Sequence, residues 1–145
     1  MKHQQILEAS KILFKHKLNK TGLNSLNDLE PENLDLAYKI QNELKVNYLT
    51  LTNNICIGKK IGCTSLAAQK QMKVIEPFYG NLFSRYSSKD IDKLNSKYFF
   101  QPFVEPEISF RVREDIDISK APYSLNDLNS LLDGIISSIE IVDFR

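Results

Sequence analysis

Four residues in this chain have types and spacings suited to chemistry: Glu105, Glu107, Glu140 and Lys60. Glu105 and Glu107 sit in VEPEISFRV, residues 104–112, separated only by Pro106. Side chains alternate along a strand, so both carboxylates point to one face about 7 Å apart. On its own such a pair reads most simply as a solvated strand face, continued by Ser109, Arg111 and Arg113. Glu140 is more telling, because it lies in IISSIEIV between Ile139 and Ile141, where both faces look apolar. A buried carboxylate needs a cation, a metal or a proton. An ion pair with one of the arginines would meet that need. So would a three-carboxylate site made with Glu105 and Glu107, and an all-oxygen set of that kind selects a hard divalent ion, Mg²⁺ or Mn²⁺. Lys60 lies between Gly58 and Gly62 on its face of a strand-like run, where the glycines leave room for a ligand beside the ammonium. The plainer reading is an edge-strand lysine, with Lys59 as the solvent-facing one.

The elements that must position these residues follow from periodicity. Residues 3–18 carry Ile6, Leu7, Leu13 and Phe14 at helical spacing. The Asn-, Gly- and Pro-rich segment LNKTGLNSLNDLEPEN reads as a loop. A second helix is expected from near Pro31, a favoured first-turn residue, to about Lys45. Residues 55–65 read as a strand with Cys56, Gly58, Lys60, Gly62 and Thr64 on one face. A short capped helix is expected over 65–72, a loop over 76–83, and an irregular loop or hairpin over 85–99. The clearest strand is 103–113, with Pro106 marking an edge or bulge. Ser124 and Asp127 form a capping-box pattern, and the helix they open is expected to stop near Gly134. IISSIEIVDFR reads as a buried strand.

Bulk properties narrow the classes of function. A chain of 145 residues is one domain by length, and 42% hydrophobic with 26% charged residues is ordinary globular composition. Net charge is +1, which gives no electrostatic case for nucleic acid or an anionic membrane. No apolar run has transmembrane length, and the charged N-terminus has no signal-type core. The expected location is cytoplasmic. Cys56 and Cys63 are not at a redox or zinc spacing and read as small hydrophobes. His3 and His16 read as surface residues of the first helix.

Five segments in order resemble one family. LAYKIQ (36–41), GKKIGCTSLAAQKQM (58–72), EPFYGNLF (76–83), VEPEISF (104–110) and IEIVDFR (139–145) are similar to motifs of the 2-keto-4-pentenoate hydratases. They also resemble the closely similar 4-oxalocrotonate decarboxylases of the same fumarylacetoacetate hydrolase superfamily. The resemblance implies an α+β fold: N-terminal helices over 1–50, then part of a mixed β-sheet roll over 51–145 as the catalytic region. It places metal carboxylates on Glu105, Glu107 and Glu140 and the active-site lysine on Lys60. It gives a substrate-lining role to Pro77, Gly80 and Leu82, with Thr64 or Ser65 assisting. Asp143 and Arg145 match positions beside the site. Two residues depart from the family pattern: Cys63 stands for leucine, and Phe144 for serine.

The implied activity is that of a hydro-lyase of aromatic-compound catabolism. A small 2-hydroxy-dienoic acid, 2-hydroxypenta-2,4-dienoate, would take up water in a reaction dependent on Mg²⁺ or Mn²⁺, giving 4-hydroxy-2-oxopentanoate. A decarboxylase using the same site on a longer diacid is the alternative. The family's chain also continues well past the last motif matched here. The expectation is therefore an N-terminal half whose C-terminal half is absent, active alone, completed by a separate half or a second copy, or reduced to a non-catalytic remnant. An apolar strand at such a boundary leaves open edges that favour association.

Overall fold

The computed structural model describes residues 1–89 and 93–144. The chain forms two compact units, Met1–Phe100 and Gln101–Phe144. The class is α+β, with four α-helices and two antiparallel strand pairs among the described residues.

The first unit opens with α1, His3–Asn19. Gln5 Oε1 accepts from the Lys2 N–H at 2.7 Å at its start, and Lys20 takes the left-handed conformation at its end. Helix α2, Leu34–Leu49, starts later and ends later than the sequence suggests. Its N-cap is Asn33, whose side chain accepts from Leu36 N. An N-cap oxygen satisfies an otherwise orphaned N–H, an advantage that Pro31 lacks. The helices pack through Ile6, Ala9 and Ile40, flanked by Met1, Leu13, Leu26, Leu29 and Leu36. Buried Ser10 satisfies its hydroxyl on Leu7 O at 2.8 Å and accepts from Asn47 Nδ2 at 3.2 Å.

Strand β1, Cys56–Gly62, pairs antiparallel with β2, Phe78–Phe83. The expected loop over 76–83 is thus mostly a strand. Its Pro and Gly suggest a turn, but Gly80 sits directly opposite Lys60, and Phe78 opposite Gly62. Between the strands lies α3, Leu66–Met72, capped by Ser65 accepting from Ala68 N. An aromatic hub holds β2 to the helices: the Tyr48 ring lies 5.2 Å from Phe14, 4.7 Å from Phe83 and 5.8 Å from Tyr86. Buried Asn54 secures the strand entry, donating to Tyr48 O at 2.9 Å and accepting from Arg85 N at 3.1 Å. The expected loop over 85–99 has short 3₁₀ turns at Ser84–Tyr86 and Ser96–Tyr98, and its remainder includes 90–92, outside the described residues.

The second unit is a long strand pair, β3 (Pro102–Val112) and β4 (Leu132–Asp143), with α4 (Leu125–Leu131) between them. Strand β3 has β4 as its partner among the described residues, so Pro106 lies on an edge strand. The register slip falls elsewhere, between Arg111 and Val112. Gly134 does not end α4: the helix passes directly into β4, and Gly134 stands opposite Arg111 in the ladder. A Cβ there would lie 3.4 Å from the Arg111 guanidinium, which is ion-paired to Asp133. The expected burial of β4 also needs correction, because Ile135 and Ile139 are 74% and 70% exposed.

The capping box of α4 forms as expected. The Asp127 carboxylate accepts from Ser124 N at 2.8 Å and from Ser124 Oγ at 2.6 Å, while Ser124 Oγ accepts from Asp127 N at 3.3 Å. These bonds hold the Asp127 carboxyl below the usual carboxylate range. A depressed folded pKa contributes stability above the unfolded value, and the contribution is lost as pH falls through the folded value. The stability gap between wild type and Asp127→Asn should therefore be widest near neutral pH and close as pH drops below about 4. Chemical unfolding across that range measures it, and a pH-independent gap would contradict the assignment.

Candidate metal centre

The ladder of the second unit sets the glutamates together. Strand alternation puts Glu105 and Glu107 on one face, and the register places Glu140 directly opposite Glu105. One carboxylate oxygen from each of the three lies within 4.8 Å of the others. Like charges directly across a ladder are destabilising, and a cation bound among them would relieve that repulsion. Three carboxylates offer hard oxygen donors and leave positions of an octahedron for water or substrate, which fits Mg²⁺ or Mn²⁺ and also tolerates Ca²⁺. Glu140 is half-buried rather than buried, and Glu105 and Glu107 are exposed.

The floor of this face is polar as well. Ser138 stands opposite Glu107. Its hydroxyl meets that of Ser109 at 2.7 Å. Asp143 accepts from Gln101 N at 2.7 Å, and Phe144 packs edge-on against Phe103 at 5.2 Å. Arg145 lies outside the described residues.

Lys60 belongs to the first unit, on the half-buried face of β1, whereas Lys59 is exposed. Its stem passes over Gly80, where an added Cβ would lie 3.3 Å from Lys60 Cγ. Gly80 therefore gives the Lys60 stem its room across the ladder, while the Phe78 ring fills the place over Gly62, 2.9 Å from where its Cβ would lie. Leu82 lies opposite Gly58 on the same face. Pro77 precedes β2 and is exposed, as are Thr64 and Ser65, and Ser65 already serves as the α3 cap. Both cysteines are free and half-buried, and Cys63 adopts a left-handed φ of 56° just after β1.

Sequence reasoning missed a cluster on the Lys59 face of the β1–β2 ladder. Tyr38 and Tyr79 stack at 4.5 Å, Gln41 Nε2 donates to Tyr79 O at 2.9 Å, and Asn81 Nδ2 donates to Gln41 Oε1 at 3.2 Å. The polar Gln41 within an otherwise amphipathic α2 was the available signal. A groove lined by Pro31, Leu34, Ala37, Val74 and Phe78 contains none of the candidate site residues.

No family model matches the chain. Curated relatives do. A 2-keto-4-pentenoate hydratase of Paraburkholderia xenovorans (strain LB400) is 32% identical over 146 residues, covering 100% of this chain and 53% of the relative. The chain resembles the 2-keto-4-pentenoate hydratases. It also aligns with a 4-oxalocrotonate decarboxylase of Pseudomonas sp. (strain CF600), 30% identical over 114 residues, 75% of this chain and 40% of that one. Among solved structures, a 4-oxalocrotonate decarboxylase from Pseudomonas putida G7, complexed with magnesium and adipate, superposes with a TM-score of 0.88 at 26% identity. That match covers 99% of this chain and 54% of the decarboxylase. The same decarboxylase complexed with calcium and acetate matches equally well. The chain thus spans about half the length of the hydratase and decarboxylase relatives it matches. No helix among the described residues is long and apolar enough to cross a membrane.

Proposed function

We propose that the chain carries the metal-binding part of a hydratase-like lyase, acting on 2-hydroxypenta-2,4-dienoate. The observation that carries this reading is the convergence of Glu105, Glu107 and Glu140 across the β3–β4 ladder. These three carboxylates would hold Mg²⁺ or Mn²⁺. When bound, the ion supplies Lewis acidity toward the carboxylate and 2-oxo oxygens of a 2-oxo acid. Lys60 Nζ is the group proposed to move a proton to C5 as the dienol becomes 2-oxopent-3-enoate. Water adding at C4 of that conjugated acid gives 4-hydroxy-2-oxopentanoate. Gly80, Leu82, Pro77, Thr64 and Ser65 are the proposed substrate-lining residues. Gly80 supports a site at Lys60 by letting the lysine stem pass over it.

A decarboxylase is the second reading, favoured by the decarboxylase structures that superpose on the chain. The face of Val104, Ile108, Phe110, Ile135 and Ile139 is largely exposed. A polypeptide carrying the relatives' remaining half, or a second copy, is the proposed cover for it.

Purified chain with Mg²⁺ or Mn²⁺ should convert 2-hydroxypenta-2,4-dienoate slowly compared with a relative of full length, with loss of the diene absorbance and 4-hydroxy-2-oxopentanoate in the product NMR. CO₂ release from 4-oxalocrotonate in its place selects the decarboxylase. No turnover of either acid with either ion, by the chain alone or together with a polypeptide carrying the relatives' remaining half, overturns the lyase reading.

A further inference from the structure

Ser109 is the single half-buried position of β3, whose other residues are all exposed. Its partner Ser138 is half-buried on β4, directly opposite Glu107 and two residues before Glu140. The two hydroxyls hydrogen-bond at 2.7 Å, and Ser138 Oγ also donates to Glu107 O at 3.4 Å. Each hydroxyl has one proton and two acceptor sites, so the second bond sends the Ser138 proton to Glu107 O and makes Ser109 the donor within the pair. The result is a directed chain, Ser109 to Ser138 to the main chain of Glu107. It ties together the backbone segments that carry two of the three glutamates, on the glutamates' own face of the sheet.

Resting on the metal reading above, we infer that the Ser109–Ser138 pair is a positioning element of the carboxylate site, setting its aperture and so its preference among divalent ions. It binds no ion itself. Mg²⁺ demands near-ideal octahedral geometry at short distance, whereas Ca²⁺ accepts six to eight ligands at longer and more variable distances. A brace that holds Glu107 and Glu140 at fixed spacing therefore matters more for Mg²⁺. Outer partners of metal sites typically change affinity by roughly 10- to 100-fold when removed.

The test compares Ser138→Val with Ser138→Thr in the 145-residue chain, titrated separately with Mg²⁺ and Ca²⁺ by calorimetry. The two variants have the same shape, and only threonine keeps the hydroxyl. Ser138→Val should weaken Mg²⁺ by roughly tenfold and Ca²⁺ by less than about threefold, while Ser138→Thr keeps the wild-type ratio. Ser109→Ala supplies the same comparison if the valine variant does not fold. A merely structural role would weaken both ions alike, so equal losses overturn the inference, as does an unchanged ratio. Wild-type chain that binds neither ion overturns the metal reading itself, a separate outcome.

Discussion

Replacing Glu107 with glutamine should weaken Mg²⁺ or Mn²⁺ binding by at least roughly tenfold, since a direct ligand should cost no less than an outer partner does. The same substitution should leave the metal-free chain as stable as wild type or more so. Three carboxylates whose oxygens lie within 4.8 Å repel one another when no cation is present. Each pair at that distance costs about 1 kcal/mol in a water-like dielectric, and salt screens much of it. Glutamine keeps the shape and removes the charge. The two effects have opposite signs, which separates a metal site from a solvated acidic face. Thermal unfolding with and without the ion reads both, because an ion that binds only the folded state stabilises it by mass action. Wild type should gain in Tm with the ion and Glu107→Gln should gain less. Identical gains, with identical calorimetric affinities, would remove the carboxylate site.

The second large effect is expected far from any carboxylate. Tyr48→Ala should destabilise the first unit by about 3–5 kcal/mol, the usual cost of truncating a buried aromatic. Tyr48 is 8% exposed, and its ring touches side chains from α1, from β2 and from the 3₁₀ turn after β2. Deleting it leaves Phe83 and Phe14 facing a cavity and removes the packing that seats β2 beside the helices. On a domain of this size the loss corresponds to a fall in Tm on the order of 10–20 °C. Tyr48→Phe, which keeps the ring, should lose much less. A Tyr48→Ala variant that melts within a few degrees of wild type would show that the hub does not hold the unit together.

What could be read from the sequence was whatever depends on near neighbours along the chain. Alternation put Glu105 and Glu107 on one face, and Ser124 with Asp127 announced the start of α4. The apolar spacing of Ile6 and Leu13 announced α1, and Ser65 announced α3. Each of these signals is carried by residues within a turn or two of one another. That is also why local reading failed where local signals conflicted. Pro77 and Gly80 suggest a loop, yet β2 forms because β1 offers a partner and Gly80 is the residue that lets the Lys60 stem pass. Gly134 suggests a helix end, yet it lies in β4 under the Arg111 guanidinium.

Only the tertiary structure decided that Glu140 stands opposite Glu105 and not one position away. A slip of one residue would turn Glu140 to the apolar face, and no pattern within either strand excludes that slip. Cross-strand contacts such as Ser109 with Ser138 and Arg111 with Asp133 choose the register, and these join residues far apart in the chain. Composition and alternation supplied three carboxylates able to bind a cation. The pairing of two distant strands brought their carboxylate oxygens within 4.8 Å of one another.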